Sequence, residues 1–276
     1  MKLLAIAIFG LLITACGSTS RSDQAPTEPP VTSPTRETSR SEQRVTIESA
    51  DGVKLVGSLY AAEKPNSPAL LLLHQWQSDR HSYDEFAKRM NAKGFAVLSI
   101  DGRGFGESTK KADGSTVAAG RTDEDVKAML GDVRAAVHYL TNNPAVDPYR
   151  IAIVGASYGS SLAIIYAADD TQVAAVVLLS PGLNYFGNMP TRPAVEKYGA
   201  RDLFIVAAKG DEESAKAVDG LSTGQAKHGF MVLPTGSSHG TEMFKYRDKT
   251  DGPPVVEDAV ASFLTTRIGN FVTEHK

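Results

Sequence analysis

Gly155-Ala156-Ser157-Tyr158-Gly159 is a G-x-S-x-G pattern. The chemistry it permits is covalent: a serine hydroxyl exposed on a tight turn attacks a carbonyl carbon and carries the acyl group away. A serine hydroxyl is a weak nucleophile at neutral pH, so it needs a base beside it and donors for the oxyanion that forms. The chain offers His74, His81, His138, His228, His239 and His275 as bases. His138 shares a helical face with Lys127 and Arg134 and reads as solvated, and His275 is in the terminal tail. The competing reading of the five residues is a Gly/Ser-rich turn with no chemistry.

The elements around the serine favour the chemical reading. Arg150 to Val154 precedes it as a buried strand, and Leu162 to Ala168 follows as a helical run. That strand–turn–helix setting is what the pattern requires. It places Ser157 at a helix N-terminus, where the dipole favours a developing negative charge. Further out, Val45 to Ser49 and Lys54 to Tyr60 alternate apolar and polar residues around Asp51-Gly52, a hairpin signal. Ala69 to Leu73, Ala96 to Ile100, Ile151 to Val154, Val173 to Leu179, Leu203 to Ala208 and Phe230 to Leu233 are continuously apolar, as strands covered on both faces are. From Thr122 to Leu140, Val126, Met129, Leu130, Val133, Val137 and Leu140 recur at helical spacing, and Thr122 with Asp125 resembles a capping box. A last helix starts near Pro253-Pro254 and carries Val256, Val260, Phe263 and Leu264 on one face. Alternating strands and helices predict an α/β architecture: one mostly parallel sheet with helices on both sides.

A second motif is independent of the first. Asp101-Gly102-Arg103-Gly104-Phe105-Gly106-Glu107-Ser108 follows the Ala96 to Ile100 strand and is similar to the D-x-R-G-x-G-x-S loop of α/β-hydrolases. It reads as structural, its glycines turning the chain and Arg103 bonding nearby carbonyls. It lacks the Lys-Ser/Thr of a phosphate-cradling loop. From about Val45 to Leu264 the chain resembles α/β-hydrolases, with the closest look to small-capped dienelactone-hydrolase-like and carboxylesterase-like members. The resemblance implies a chain order of serine, acid, histidine. His239 then is the base, since it follows the last strand in a loop Gly236-Ser237-Ser238-His239-Gly240, whereas His228 precedes that strand. Asp211 is the orienting acid, in the turn Lys209-Gly210-Asp211, with Glu212 as the nearest rival, Asp202 lying before the strand, and a helix N-cap as the alternative role. The oxyanion donors are the N–H groups of Tyr158 and Trp76. Many members have His-Gly where this chain has His74-Gln75, and His74 reads as a structural residue of that loop. The segment between Ser180 and Asp202 is too short for a large helical cap. Its Tyr185, Phe186 and Met189 are expected to line the substrate pocket or to pack under the loop. Dienelactone hydrolases typically use cysteine, so Ser157 argues for ordinary ester chemistry.

The implied activity is hydrolysis of a small-molecule carboxylic ester through an acyl-enzyme, with no metal or organic cofactor. A peptidase or amidase of the same fold is the alternative within hydrolases, and a non-catalytic envelope-binding lipoprotein is the alternative outside them. The net charge of −3 over 276 residues shows no basic excess, and no nucleic-acid partner is expected. With Cys16 the sole cysteine, no intrachain disulfide can form. Lys2 and the apolar run Leu3 to Ile13, ending in Ile13-Thr14-Ala15-Cys16, resemble a bacterial lipoprotein signal. The expectation is a signal peptide over 1–15, lipidation of Cys16, a disordered Ser/Thr/Pro-rich tether over 16–41, and a hydrolase domain over 42–276. The lipid would anchor the protein in a membrane, facing outside the cytoplasm in the bacterial envelope. In a Gram-negative host, Gly17 after the cysteine favours the outer membrane.

Overall fold

Gln43–Glu48 (β1) pairs antiparallel with Lys54–Tyr60 (β2), and the turn between them carries Gly52 at φ +82°. The structure, a computed structural model, describes residues 42–222 and 229–269. The leader, Cys16 and the expected tether lie outside the described residues, as do His228 and His275. After the hairpin come Ser67–Leu73 (β3), a helix Asp84–Ala92 (α1), Ala96–Ile100 (β4) and a helix Asp123–Thr141 (α2). Val146–Ala156 (β5) leads into the helix Tyr158–Asp169 (α3), and Val173–Leu179 (β6) follows. A two-stranded ribbon, Asn184–Tyr185 (β7) and Met189–Pro190 (β8), precedes the helix Thr191–Tyr198 (α4). Asp202–Ala208 (β9), the helix Glu212–Ser222 (α5), Gly229–Leu233 (β10) and the helix Val255–Leu264 (α6) complete the order.

One sheet runs β1-β2-β4-β3-β5-β6-β9-β10. β1 and β2 are antiparallel to their neighbours, and every pairing from β4 to β10 is parallel. The alternation of side chains along each strand divides the core in two. Ala69, Leu71, Leu73, Ile151 and Ile153 face one layer, with α2, α3 and α4. Leu70, Leu72, Ala152, Val154 and Ala156 face the other, with α1 and α6. Parallel strands covered on both faces need apolar residues at every position, which is why β3 reads as an unbroken aliphatic run. Fully burying each of those leucines contributes about 1.5–3 kcal/mol.

α2 starts where its cap predicts. Thr122 accepts from the Asp125 N–H, and Asp125 accepts from the Thr122 N–H at 2.9 Å, a complete capping box. β5 begins five residues before the expected core run. Its outer part, including Asp147 and Arg150, is only partly buried or exposed, so hydrophobicity does not mark it. The parallel strands deliver their C-terminal ends to one edge of the sheet. Four of these ends, after β5, β6, β9 and β10, are adjacent, and the residue or short loop that follows each carries a residue of the site.

Candidate active site

Ser157 sits between β5 and α3 at φ +54°, ψ −124°, a conformation that a non-glycine residue rarely adopts. The surroundings hold it there. Its N–H donates to Leu179 O at 2.8 Å, at the end of β6, and its carbonyl accepts from both the N–H and the hydroxyl of Ser160. The two motif glycines are required by contact. A Cβ at Gly155 would lie 2.1 Å from Gly159 O, and one at Gly159 would lie 2.7 Å from the carbonyls of Leu73 and His74. The first turn of α3 therefore presses on the end of β5 and on the loop leaving β3.

That loop is His74-Gln75-Trp76. His74 is almost fully buried, and both ring nitrogens are engaged. Nδ1 donates to Gln75 O at 2.7 Å, and Nε2 accepts from the Gly102 N–H at 2.9 Å. These partners define a neutral imidazole, and burial lowers its pKa below the ordinary 6.5. It has no free nitrogen with which to serve as a base. The Trp76 ring meets the Tyr158 ring at 5.3 Å, Phe105 at 4.8 Å and Phe186 at 4.8 Å, all edge to face. The structure thus brings Trp76 and Tyr158, the two expected oxyanion residues, side by side. Arg121, on the loop before α2, stacks on Trp76 at 4.7 Å and on Phe186 at 5.0 Å. It had no place in the sequence reading, because a lone arginine in a loop carries no pattern.

Asp211 follows β9 and opens α5. One carboxylate oxygen accepts from His239 Nδ1–H at 2.6 Å, and the other faces the Ser214 N–H at 3.4 Å. The Asp211 side chain is mostly buried and the His239 ring is 42% exposed, so the imidazole stands at the surface with a screened carboxylate behind it. The bond through Nδ1 leaves Nε2 as the nitrogen available for proton transfer. The two loops are knitted together: Gly210 N–H donates to Gly236 O at 2.9 Å, and Lys209 N–H to Leu233 O at 3.0 Å.

The turn after His239 returns to the serine. Gly240, at φ +58°, donates its N–H to Ser180 Oγ at 2.9 Å, and a Cβ on it would lie 3.3 Å from Ala156 Cβ. The residue after the histidine therefore packs on the residue before the serine. Gln75 Oε1 accepts from Thr241 Oγ1–H at 3.0 Å and from its N–H at 3.3 Å.

Tyr185 and Phe186 reach the site from the ribbon. The Tyr185 hydroxyl donates to Ser180 O at 2.9 Å. Burial pushes the phenol up to about 12, against the opposing pull of the neighbouring Ser157 hydroxyl. Phe186 is half-buried at φ +60° and packs on Trp76. Met189 does not join them. Its side chain is fully buried in the core layer that includes α3, so it packs under the ribbon and presents no surface to a substrate. Arg103 also differs from expectation. Its guanidinium forks onto the buried Asp132 carboxylate at 2.6 Å and reaches Asp51 at 2.8 Å, so its partners are carboxylates and not carbonyls. Asp132 lies inside the apolar stripe of α2, where periodicity hides a buried charge. Among the described residues, no group of three or more His, Cys, Asp or Glu is arranged to hold a metal ion.

The sequence matches the profile of the "Serine aminopeptidase, S33" family over residues 64–209, more than half of the chain. The match includes Ser157 and the 101–108 loop and ends before Asp211 and His239. Thiohydrolase apmlB of Arthrinium phaeospermum is 28% identical over 233 residues, covering 84% of this chain and 68% of that protein. The Pyrococcus furiosus esterase Pf2001 superposes with a TM-score of 0.64 at 19% identity, over 83% of this chain and 94% of that one. Dienelactone hydrolase from Anabaena variabilis gives 0.63 at 16% identity, over 83% and 98%. At these identities the two structures share the fold alone.

Proposed function

The chain belongs to the serine aminopeptidase S33 family of α/β hydrolases, and from that premise we propose that it hydrolyses carboxylic esters through an acyl-enzyme on Ser157. His239 takes the serine proton through Nε2. Asp211 holds the ring's tautomer and stabilises the imidazolium. The N–H groups of Tyr158 and Trp76 receive the oxyanion. His239 then returns the proton to the leaving alcohol, and in the second half-reaction it activates the water that releases the acid.

One observation carries the reading: the His239–Asp211 bond of 2.6 Å, on a turn packed against the residue preceding the positive-φ serine. An ester is favoured over an N-terminal peptide by the wall beside the serine. Trp76, Tyr185 and Phe186 are aromatic, and residues 180–190 themselves carry no carboxylate to receive an ammonium group; a carboxylate outside them, Glu213 on α5, lies within electrostatic range of Tyr185. The match to a thiohydrolase favours sulfur esters as a second reading. Purified full-length protein is expected to hydrolyse p-nitrophenyl butyrate and a matched acyl thioester. Ser157→Ala should abolish both activities, with its melting curve unchanged. Cleavage of aminoacyl amides in preference to esters would replace this reading with the peptidase one.

The proposal extends to location. The resemblance of residues 1–16 to a lipoprotein leader supports lipidation of Cys16 and attachment of the hydrolase domain, 42–276, to the outer face of a bacterial membrane. Cys16→Ser should move the protein from the membrane fraction to the soluble one. An unchanged distribution would contradict the anchor.

A further inference from the structure

Gln75 stands where a glycine is common in similar chains, and its side chain spans the two halves of the candidate site. Its carbonyl accepts from His74 Nδ1 at 2.7 Å and from the Ser78 N–H at 3.2 Å. A trans peptide sets its C=O and N–H antiparallel. Those two bonds therefore also set the direction of the Trp76 N–H, which belongs to the same peptide unit. The Gln75 side chain points to the other loop. Oε1 accepts from both the hydroxyl and the N–H of Thr241, two residues after His239. The Cβ-free Gly240 makes the approach possible, since a Cβ there would lie 2.8 Å from that same Oε1. Left-handed backbone in the β3 loop falls at Gln77, with φ +60°, and not at position 75, so a side chain is accommodated at 75 without strain.

We propose that Gln75 is a positioning residue that sets the distance between the base and the oxyanion donors. One residue is fixed to the oxyanion loop through its carbonyl and to the histidine turn through its amide oxygen. Two other side chains from different strand ends hold that turn among the described residues: Ser180, through Gly240, and Asp211, through His239. Loss of the Gln75 acceptor removes two bonds at Thr241 together and leaves the turn free to pivot about its remaining holds at Ser180 and Asp211. The aromatic wall that binds substrate is untouched by that pivot. The cost falls on the transition state, where base and oxyanion donors must act together, and not on ground-state binding. This inference rests on the assignment of Ser157, His239 and Asp211 made above.

The test uses full-length Gln75→Met, which fills similar volume without accepting, Gln75→Glu, which keeps an acceptor oxygen, and Thr241→Val. Hydrolysis of p-nitrophenyl butyrate at alkaline pH and the rate of fluorophosphonate labelling at Ser157 are read in parallel. Gln75→Met is expected to lower kcat by about tenfold with KM within about twofold, the split that marks a transition-state interaction. Gln75→Glu should recover most of kcat, and Thr241→Val should lower it in the same sense. The double variant Gln75→Met/Thr241→Val should be no slower than Gln75→Met, because the hydroxyl bond that Thr241→Val removes is already lost in Gln75→Met. Should Gln75→Met fail to fold, Thr241→Val against Thr241→Ser reads the same contact from its other end. Parent-like kcat and labelling in Gln75→Met overturns the coupling, as does a Gln75→Glu enzyme as slow as Gln75→Met. A parent enzyme that does not label at Ser157 overturns the underlying assignment, and a different outcome from the first two.

Discussion

Asp211 divides its carboxylate between two tasks, and the division explains why its sequence context was ambiguous. One oxygen faces the first turn of α5, as an N-cap would, while the other holds His239. A turn ending in Gly-Asp before a helix reads as a cap or as an orienting acid, and the carboxylate makes contacts of both kinds. Asp211→Asn keeps the shape and the helix start but offers the imidazole an amide. If Asp211 orients the base, kcat should fall by about four orders of magnitude with little change in KM, by analogy with the loss of a triad acid. Steady-state kinetics on an ester measure this, and a change of less than tenfold would remove Asp211 from the mechanism. His74 carries a different prediction. Burial lowers its folded pKa below 6.5, so below that pH the unfolded chain binds a proton that the folded chain refuses. Stability from neutral His74 is therefore complete above about pH 6.5 and declines as pH falls below it. Urea unfolding across that range should show the decline, and His74→Gln should flatten it. Met189 and Arg103 mark the limit of reading single residues. Whether a methionine faces a cleft or a core depends on the path of a ribbon that has only two residues per strand. The carboxylate partners of Arg103 are remote in sequence and one lies within an apolar stripe.

At the scale of elements, the parts with strong local signals were legible. The hairpin, the aliphatic strands, the capped α2 and the Pro-initiated α6 each carry a pattern that local physics enforces. α4 and the β7–β8 ribbon carry none, because both are short and are stabilised by what they pack on. The elbow between β5 and α3 is the element on which most depends. Gly155→Ala would place a methyl carbon 2.1 Å from a backbone oxygen that cannot rotate away. The helix must shift, at a cost of about 1–3 kcal/mol, the range for overpacking a tight contact. Chemical denaturation should show that loss, and activity should fall further than stability because the shift moves Ser157. A variant of unchanged stability would mean that α3 tolerates displacement and that the elbow is less constrained than its contacts indicate.

At the scale of the molecule, the sheet order explains why residues far apart in the chain meet. Ser157, Ser180, Asp211 and His239 leave the ends of β5, β6, β9 and β10, which are neighbours in that order. A mostly parallel sheet gathers its C-terminal ends on one edge, and ligands of such sheets bind outside that edge. The chain order of the motifs could therefore suggest the gathering. The side-chain links across it, Gln75 to Thr241 and Arg121 to Trp76 and Phe186, emerge only from the loops' three-dimensional paths. The central claim is that this gathering activates one serine. Its most direct test is fluorophosphonate labelling of the full-length protein, with the modified residue mapped by mass spectrometry and His239→Ala treated in parallel. Labelling at Ser157 that collapses in the His239 variant is the predicted result. A folded protein that stays unlabelled, or labels equally without His239, would contradict the account.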